Sequence, residues 1–132
     1  MIEVHSTVPA LEAAFRRYNI RNAAAIQVDG TVFLSGMAAL DLDTGEMVEG
    51  DMTVQARHTI GLCQTVLGEI GLTLDHVVKV NCFLADVGDF AAWNDVYLEM
   101  FEAPYPCRTT VGAQLVVGRL EVEMVAASEP RR

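Results

Sequence analysis

The chain has 132 residues, 52% of them hydrophobic, so residues 1–132 are expected to form one domain around a single core. Eighteen Asp and Glu against nine Lys and Arg give a formal charge of −9, and no basic cluster is longer than Arg16-Arg17 or Arg131-Arg132. Such a surface repels phosphate backbones and anionic lipid, which argues against nucleic-acid and membrane-surface binding and leaves any small anion dependent on a locally positive pocket.

In chain order, Val8–Ile20 has apolar positions at 11, 14, 15 and 18, consistent with a short helix entered through Pro9. Two β-like runs follow, Ala24–Val28 and Thr31–Gly36, separated by Asp29-Gly30. Asp-Gly between such runs predicts a hairpin with a type I′ turn, which needs positive φ at both central residues. Asp41-Leu42-Asp43-Thr44-Gly45-Glu46 is a second turn, leading to Met47-Val48. Its Asp-x-Asp-x-Gly pattern opens like a calcium loop but lacks the closing glutamate at the required spacing, so it reads as a solvated turn.

From Asp51 to Gly71 the period becomes helical: Ala56, Ile60, Cys63, Leu67 and Ile70 form one stripe, with Asp51 suited to the N-cap and Gly71 to the C′ position. His58 lies just outside that stripe without a second ligand at helical spacing, which reads as a rim histidine rather than a metal ligand. Asp75–Ala85 reads as a long strand with Val78, Val80, Cys82 and Leu84 on one face and Lys79, Asn81 and Phe83 on the other. A second amphipathic helix starts at Asp89, aligns Phe90, Trp93, Tyr97 and Met100, and ends before Pro104. Two strands close the chain, Arg108–Ala113 and Leu120–Ala126, and the polar tail Ser128–Arg132 is expected to be loose.

This order describes an α+β layer structure, a mixed β-sheet with two helices packed on one face. The other face carries apolar and charged residues alternately, and its burial would come from neighbouring copies, so a homo-oligomer is expected. Cys63, Cys82 and Cys107 are an odd set in apolar surroundings without metal-ligand spacing, which reads as reduced, buried thiols. Met1–His5 has no secretory pattern and no apolar run is long enough to span a membrane; a soluble, cytoplasmic protein is the expectation.

The stretch Pro104-Tyr105-Pro106-Cys107-Arg108-Thr109-Thr110 releases one arginine from a proline-bracketed turn at the start of a β-branched run. Alternation puts Arg108, Thr110 and Gly112 on one face of their strand, and Glu121 and Glu123 together on one face of theirs. Two readings are open for Arg108. It is either the structural salt-bridge partner of Glu121 or Glu123, or an anchor for a carboxylate on the sheet face left free by the helices. Cys107 alternates away from Arg108, towards the core, which argues against a nucleophile.

Taken together, Val32-Phe33-Leu34-Ser35-Gly36, Asp43-Thr44-Gly45, Gln55-Ala56-Arg57, Val77–Asp86, Asp89–Tyr97, Pro106–Val111 and Glu121-Val122-Glu123 resemble the RidA (YjgF-type) family over roughly residues 22–127. The resemblance implies a chorismate-mutase-like fold, a homotrimer with sites in the clefts between subunits, and hydrolysis of reactive enamines or imines to a 2-keto acid and ammonia, as by a 2-iminobutanoate/2-iminopropanoate-type deaminase. It implies no cofactor and no metal. By position, Arg108 would bind the substrate carboxylate with backbone amides near Gly36 and Thr110, Glu121 would place water and move protons, with Glu123 the alternative, and Asn94 would give support.

Where the family carries Gly-Pro-Tyr before the first hairpin, this chain has Ile20-Arg21-Asn22, losing a tyrosine expected to line the pocket. The connection from Arg108 to Glu121 is also about two residues short of the family's pattern. These departures point to a different imino or enamine acid. They also leave open the alternative of a non-catalytic trimeric protein that binds small carboxylates. RNA cleavage, also attached to the family, fits poorly with the charge.

Overall fold

The computed structural model, which describes residues 1–5 and 8–132, runs β1 (Ile2–His5), α1 (Pro9–Arg17), β2 (Ala25–Val28), β3 (Thr31–Leu34), α2 (Met52–Glu69), β4 (Val77–Leu84), α3 (Phe90–Met100), β5 (Cys107–Gly112) and β6 (Leu120–Ala127). The strands form one mixed six-stranded sheet in the order β1-β2-β3-β6-β4-β5. All pairings are antiparallel except β4 with β5, whose connection passes through α3 as a parallel crossover requires.

One face of the sheet is the core. Val32 and Leu34, Val80, Cys82 and Leu84, and Leu120, Val122, Met124 and Ala126 all point to it and are buried. Against them pack Ala56, Ile60, Cys63 and Leu67 of α2 and Trp93 and Tyr97 of α3, as the helical stripes predict. A third helix, α1, adds Leu11 and Ala14 to the same core. Each such aliphatic side chain contributes about 1.5–3 kcal/mol on burial. The opposite face has no helix among the described residues, and Ile26, Phe33 and Val111 stand exposed on it.

The expected Asp51 cap forms, its Oδ1 accepting from the Val54 amide at 3.0 Å, and Gly71 takes the left-handed backbone, φ 81°, that follows the helix end. Asp89 stands at the cap position of α3 but makes no capping hydrogen bond; Asp86, just upstream, accepts from the Gly88 amide at 2.8 Å instead.

Four further expectations change. In the Asp29-Gly30 turn only Asp29 has positive φ, 51°, so the turn is not of type I′. Val78 does not share a face with Val80: the β4–β6 register shifts between Val77 and Lys79, turning Val77 inward and leaving Val78 exposed. Ile2–His5, unassigned from sequence, pairs with β2. The tail is not loose. The Arg131 guanidinium donates to the carbonyls of Leu74 and Val77 at 2.6 Å, of Pro104 at 2.7 Å and of Glu102 at 3.2 Å, tying the end of β6 to the loops after α2 and α3. No helix among the described residues is long and apolar enough to cross a membrane.

Because four carbonyls share one cation, Arg131→Ala is expected to lower the unfolding free energy by about 2–3 kcal/mol, with no rescue by Arg131→Lys, whose ammonium cannot span them. Urea titration checks this; a change below about 0.5 kcal/mol would show the tail to be dispensable.

Candidate functional site

The position of Arg108 follows from the β4–β5 register. In paired strands, residues opposite each other point to the same face, and Arg108 lies opposite Val80, which is fully buried. Arg108 therefore emerges on the helix-covered side at the edge of the sheet, not on the free face expected from sequence. There its Nη1 donates to Asn94 Oδ1 of α3 at 2.7 Å, and the guanidinium carbon sits 4.2 Å from the centroid of Tyr97 and 5.7 Å from that of Phe90. Such cation–π contacts are worth about 0.5–2 kcal/mol when partly desolvated.

Thr110, two residues on and on the same side, accepts from Trp93 Nε1 at 3.2 Å, so β5 is fastened to α3 at two points one helical residue apart. Burial pushes the Tyr97 phenol above its ordinary value, an effect that the nearby Arg108 charge opposes. No carboxylate pairs with Arg108 among the described residues, which removes the salt-bridge reading with Glu121 or Glu123. The result is a half-buried cation, oriented by a neutral amide and an aromatic face, with donor capacity left over.

The two glutamates occupy the other face. Glu121 lies opposite Phe83 and Glu123 opposite Asn81, both open-face positions of β4. Glu123 is already engaged, accepting from Asn81 Nδ2 at 2.9 Å. Glu121 has no hydrogen-bond or ion-pair partner among the described residues and packs against Gly36, where an added Cβ would lie 2.5 Å from Glu121 Oε1. Absence of a side chain at Gly36 is thus what admits the carboxylate. Glu121 opens into a pocket of about 530 Å³ walled by the loop after β3 and the end of α1.

The sequence-derived candidates therefore fall into two groups: Arg108, Thr110 and Asn94 at the β5–α3 edge, and Glu121 with Gly36 at the pocket. Within one chain they are not brought together, since alternation and register place them on opposite faces. Asn94 faces the guanidinium rather than open space. Tyr97 and Phe90 were missed as partners of Arg108, although their spacing on the α3 stripe was visible. Tyr18 was missed too: it lines the Glu121 pocket, with its hydroxyl donating to the Gly45 carbonyl at 2.7 Å. The position where a tyrosine was expected, Asn22, instead donates to Ser35 Oγ at 3.2 Å.

The Endoribonuclease L-PSP family model matches residues 12–129, a span that contains both groups. The chain belongs to that family, the RidA (YjgF-type) family. Among RidA relatives, Protein mmf2, mitochondrial, of Schizosaccharomyces pombe is 43% identical over 108 residues, covering 78% of this chain and 84% of the relative. A 2-iminobutanoate/2-iminopropanoate deaminase of Dermatophagoides farinae is 39% identical over 107 residues, covering 80% and 84%. The crystal structure of RidA from the Antarctic bacterium Psychrobacter sp. superposes with a TM-score of 0.76 at 32% identity, covering 80% of this chain and 87% of that one.

The thiols of this RidA chain divide by environment. Burial pushes both Cys63 and Cys82 up to about 12, the latter despite the opposing charge of Arg108. Cys107 departs from the expectation of a core thiol: it lies opposite Lys79 on the open face and is exposed. At pH 8 Cys63 and Cys82 of the native protein are therefore expected to resist a thiol reagent, and all three cysteines to label in guanidinium. Rapid native labelling of Cys63 or Cys82, read by mass spectrometry, would contradict this placement.

Proposed function

We propose that the chain is a cofactor-independent deaminase of a reactive imine or enamine carboxylic acid, yielding the 2-keto acid and ammonia. The observation that carries this is Arg108, a half-buried guanidinium without a carboxylate partner among the described residues and aimed by Asn94 and Tyr97. A fixed planar cation of this kind suits a substrate carboxylate, which it can bind through paired N–H donors. Glu121 suits the remaining task because it is unengaged, whereas Glu123 is committed to Asn81.

Hydrolysis needs little more. The protonated C=N carbon is electrophilic; Glu121 takes a proton from water as its oxygen bonds to that carbon, and the same proton passes to nitrogen in the resulting carbinolamine. The C–N bond then breaks, ammonia leaves with the bonding pair, and the hydroxyl passes its proton to Glu121 as the C=O forms; ammonia takes that proton from Glu121 and departs as ammonium. Holding the carboxylate at Arg108 fixes the carbon relative to the water, which is where most of the rate advantage would arise.

Arg108 and Glu121 lie on opposite faces of one chain, so a site using both must be shared between copies. A homotrimer with its sites in the clefts between subunits fits this requirement, and the exposed apolar side chains Ile26, Phe33 and Val111 supply surface for such an assembly.

The test is semicarbazide trapping of imines made in situ by an amino-acid oxidase, with and without purified protein. Wild type is expected to speed imine loss. Arg108→Ala should reduce kcat/KM by at least about a hundredfold, with little recovery in Arg108→Lys, and Glu121→Gln should lower kcat by about 10²–10⁴-fold. Equal activity in Arg108→Ala would contradict the proposal.

A further inference from the structure

The pocket beside Glu121 has a composition that speaks to what enters it. Phe15 and Ile20 from the α1 end, Met37 and Leu40 after β3, and Val116 and Val117 before β6 are among its walls, and Glu121 is its one charged lining residue. Tyr18 contributes its ring, because its hydroxyl is spent on the Gly45 carbonyl. No lysine or arginine lines it, so the carboxylate of a substrate finds no partner within it. What the pocket offers is one unpaired carboxylate at the edge of a largely apolar space of about 530 Å³.

That volume lies in the range of pockets that enclose whole small ligands, and apolar walls with few polar groups are the rule for such sites. A methyl or ethyl side chain would leave most of it empty or wet, whereas an isobutyl or benzyl group would cover the exposed apolar wall. Each methylene accommodated in an apolar pocket changes discrimination by about tenfold or more. Resting on the deaminase reading above, we infer that the substrate is a 2-imino or enamine acid with a bulky apolar side chain. Its C=N carbon lies at Glu121 and its side chain fills the space between Phe15, Met37 and Val117. The walls select against the smallest imino acids through unfilled apolar contact, and Glu121 at the rim keeps the polar end outward.

The full-length protein tests this with imines generated from alanine, leucine and phenylalanine. The expected kcat/KM for the leucine or phenylalanine imine exceeds that for the alanine imine by at least about tenfold. Ala38→Leu, at a half-buried lining position, and Val117→Trp, at an exposed one, should each lower kcat/KM for the leucine and phenylalanine imines by at least about tenfold and so erase that preference. Two variants are used because either could perturb the loop that carries it. Turnover of the alanine imine equal to or faster than the others overturns this inference and leaves the deaminase reading standing. Failure of every imine overturns the deaminase reading. In that case calorimetric titration with pyruvate, 4-methyl-2-oxopentanoate and phenylpyruvate decides the pocket by itself: tighter binding of the larger acids, lost in Val117→Trp, retains the apolar selectivity, and equal or absent binding removes it.

Discussion

In a pleated sheet the face taken by a side chain is set by register, and β4 hands its register to both neighbours. Val80 lies opposite Arg108 on one side and Met124 on the other, while Phe83 lies opposite Val111 and Glu121. Because Val80 and Met124 are core residues, Arg108 is committed to the helix side; because Phe83 faces outward, Glu121 is committed to the open side. A one-residue slip would reverse either placement: in β6 it would turn Glu121 into the core, and in β5 it would take Arg108 away from Asn94 and Tyr97. The proposed chemistry has to work with this separation of cation from carboxylate.

Each half is held by a different device. Arg108 is kept by α3: Asn94 takes one N–H, Tyr97 lies under the guanidinium plane, and the Trp93–Thr110 hydrogen bond prevents β5 from sliding. Glu121 is kept by an absence, the missing Cβ of Gly36, which lets the carboxylate lie against the backbone. Neither group is neutralised by an opposite charge among the described residues. Glu121 is exposed and its charge is solvated, whereas the half-buried Arg108 keeps N–H donors that are costly to leave unmet. A carboxylate-bearing substrate between two copies of the chain would meet both.

Much of this was legible from the residues. The two long helices announce themselves through their apolar stripes and the Asp51 and Gly71 ends. Alternation within β5 and within β6 correctly groups Arg108 with Thr110 and Glu121 with Glu123. What alternation cannot give is the relation between strands. The parity of β5 relative to β6 passes through β4, and its register depends on burying Val80 in the core, a long-range fact. The irregularity between Val77 and Lys79 that exposes Val78 has no local signal either. Arg131 looked like part of a polar tail because its partners are backbone carbonyls from distant loops, which carry no sequence identity. The apolar pocket was hidden for the same reason: Phe15, Met37 and Val117 are remote in sequence.

The central claim is that Arg108 of one copy works with Glu121 of another. Complementation between two inactive variants tests it directly. Arg108→Ala and Glu121→Gln proteins would be unfolded together, refolded as a mixture and assayed for imine hydrolysis. A shared site predicts that mixing restores activity, to about a quarter of wild type for random assembly of equal amounts, since one interface in about four then pairs an intact Arg108 with an intact Glu121. Activity no greater than the sum of the two separate variants would contradict a site shared between copies.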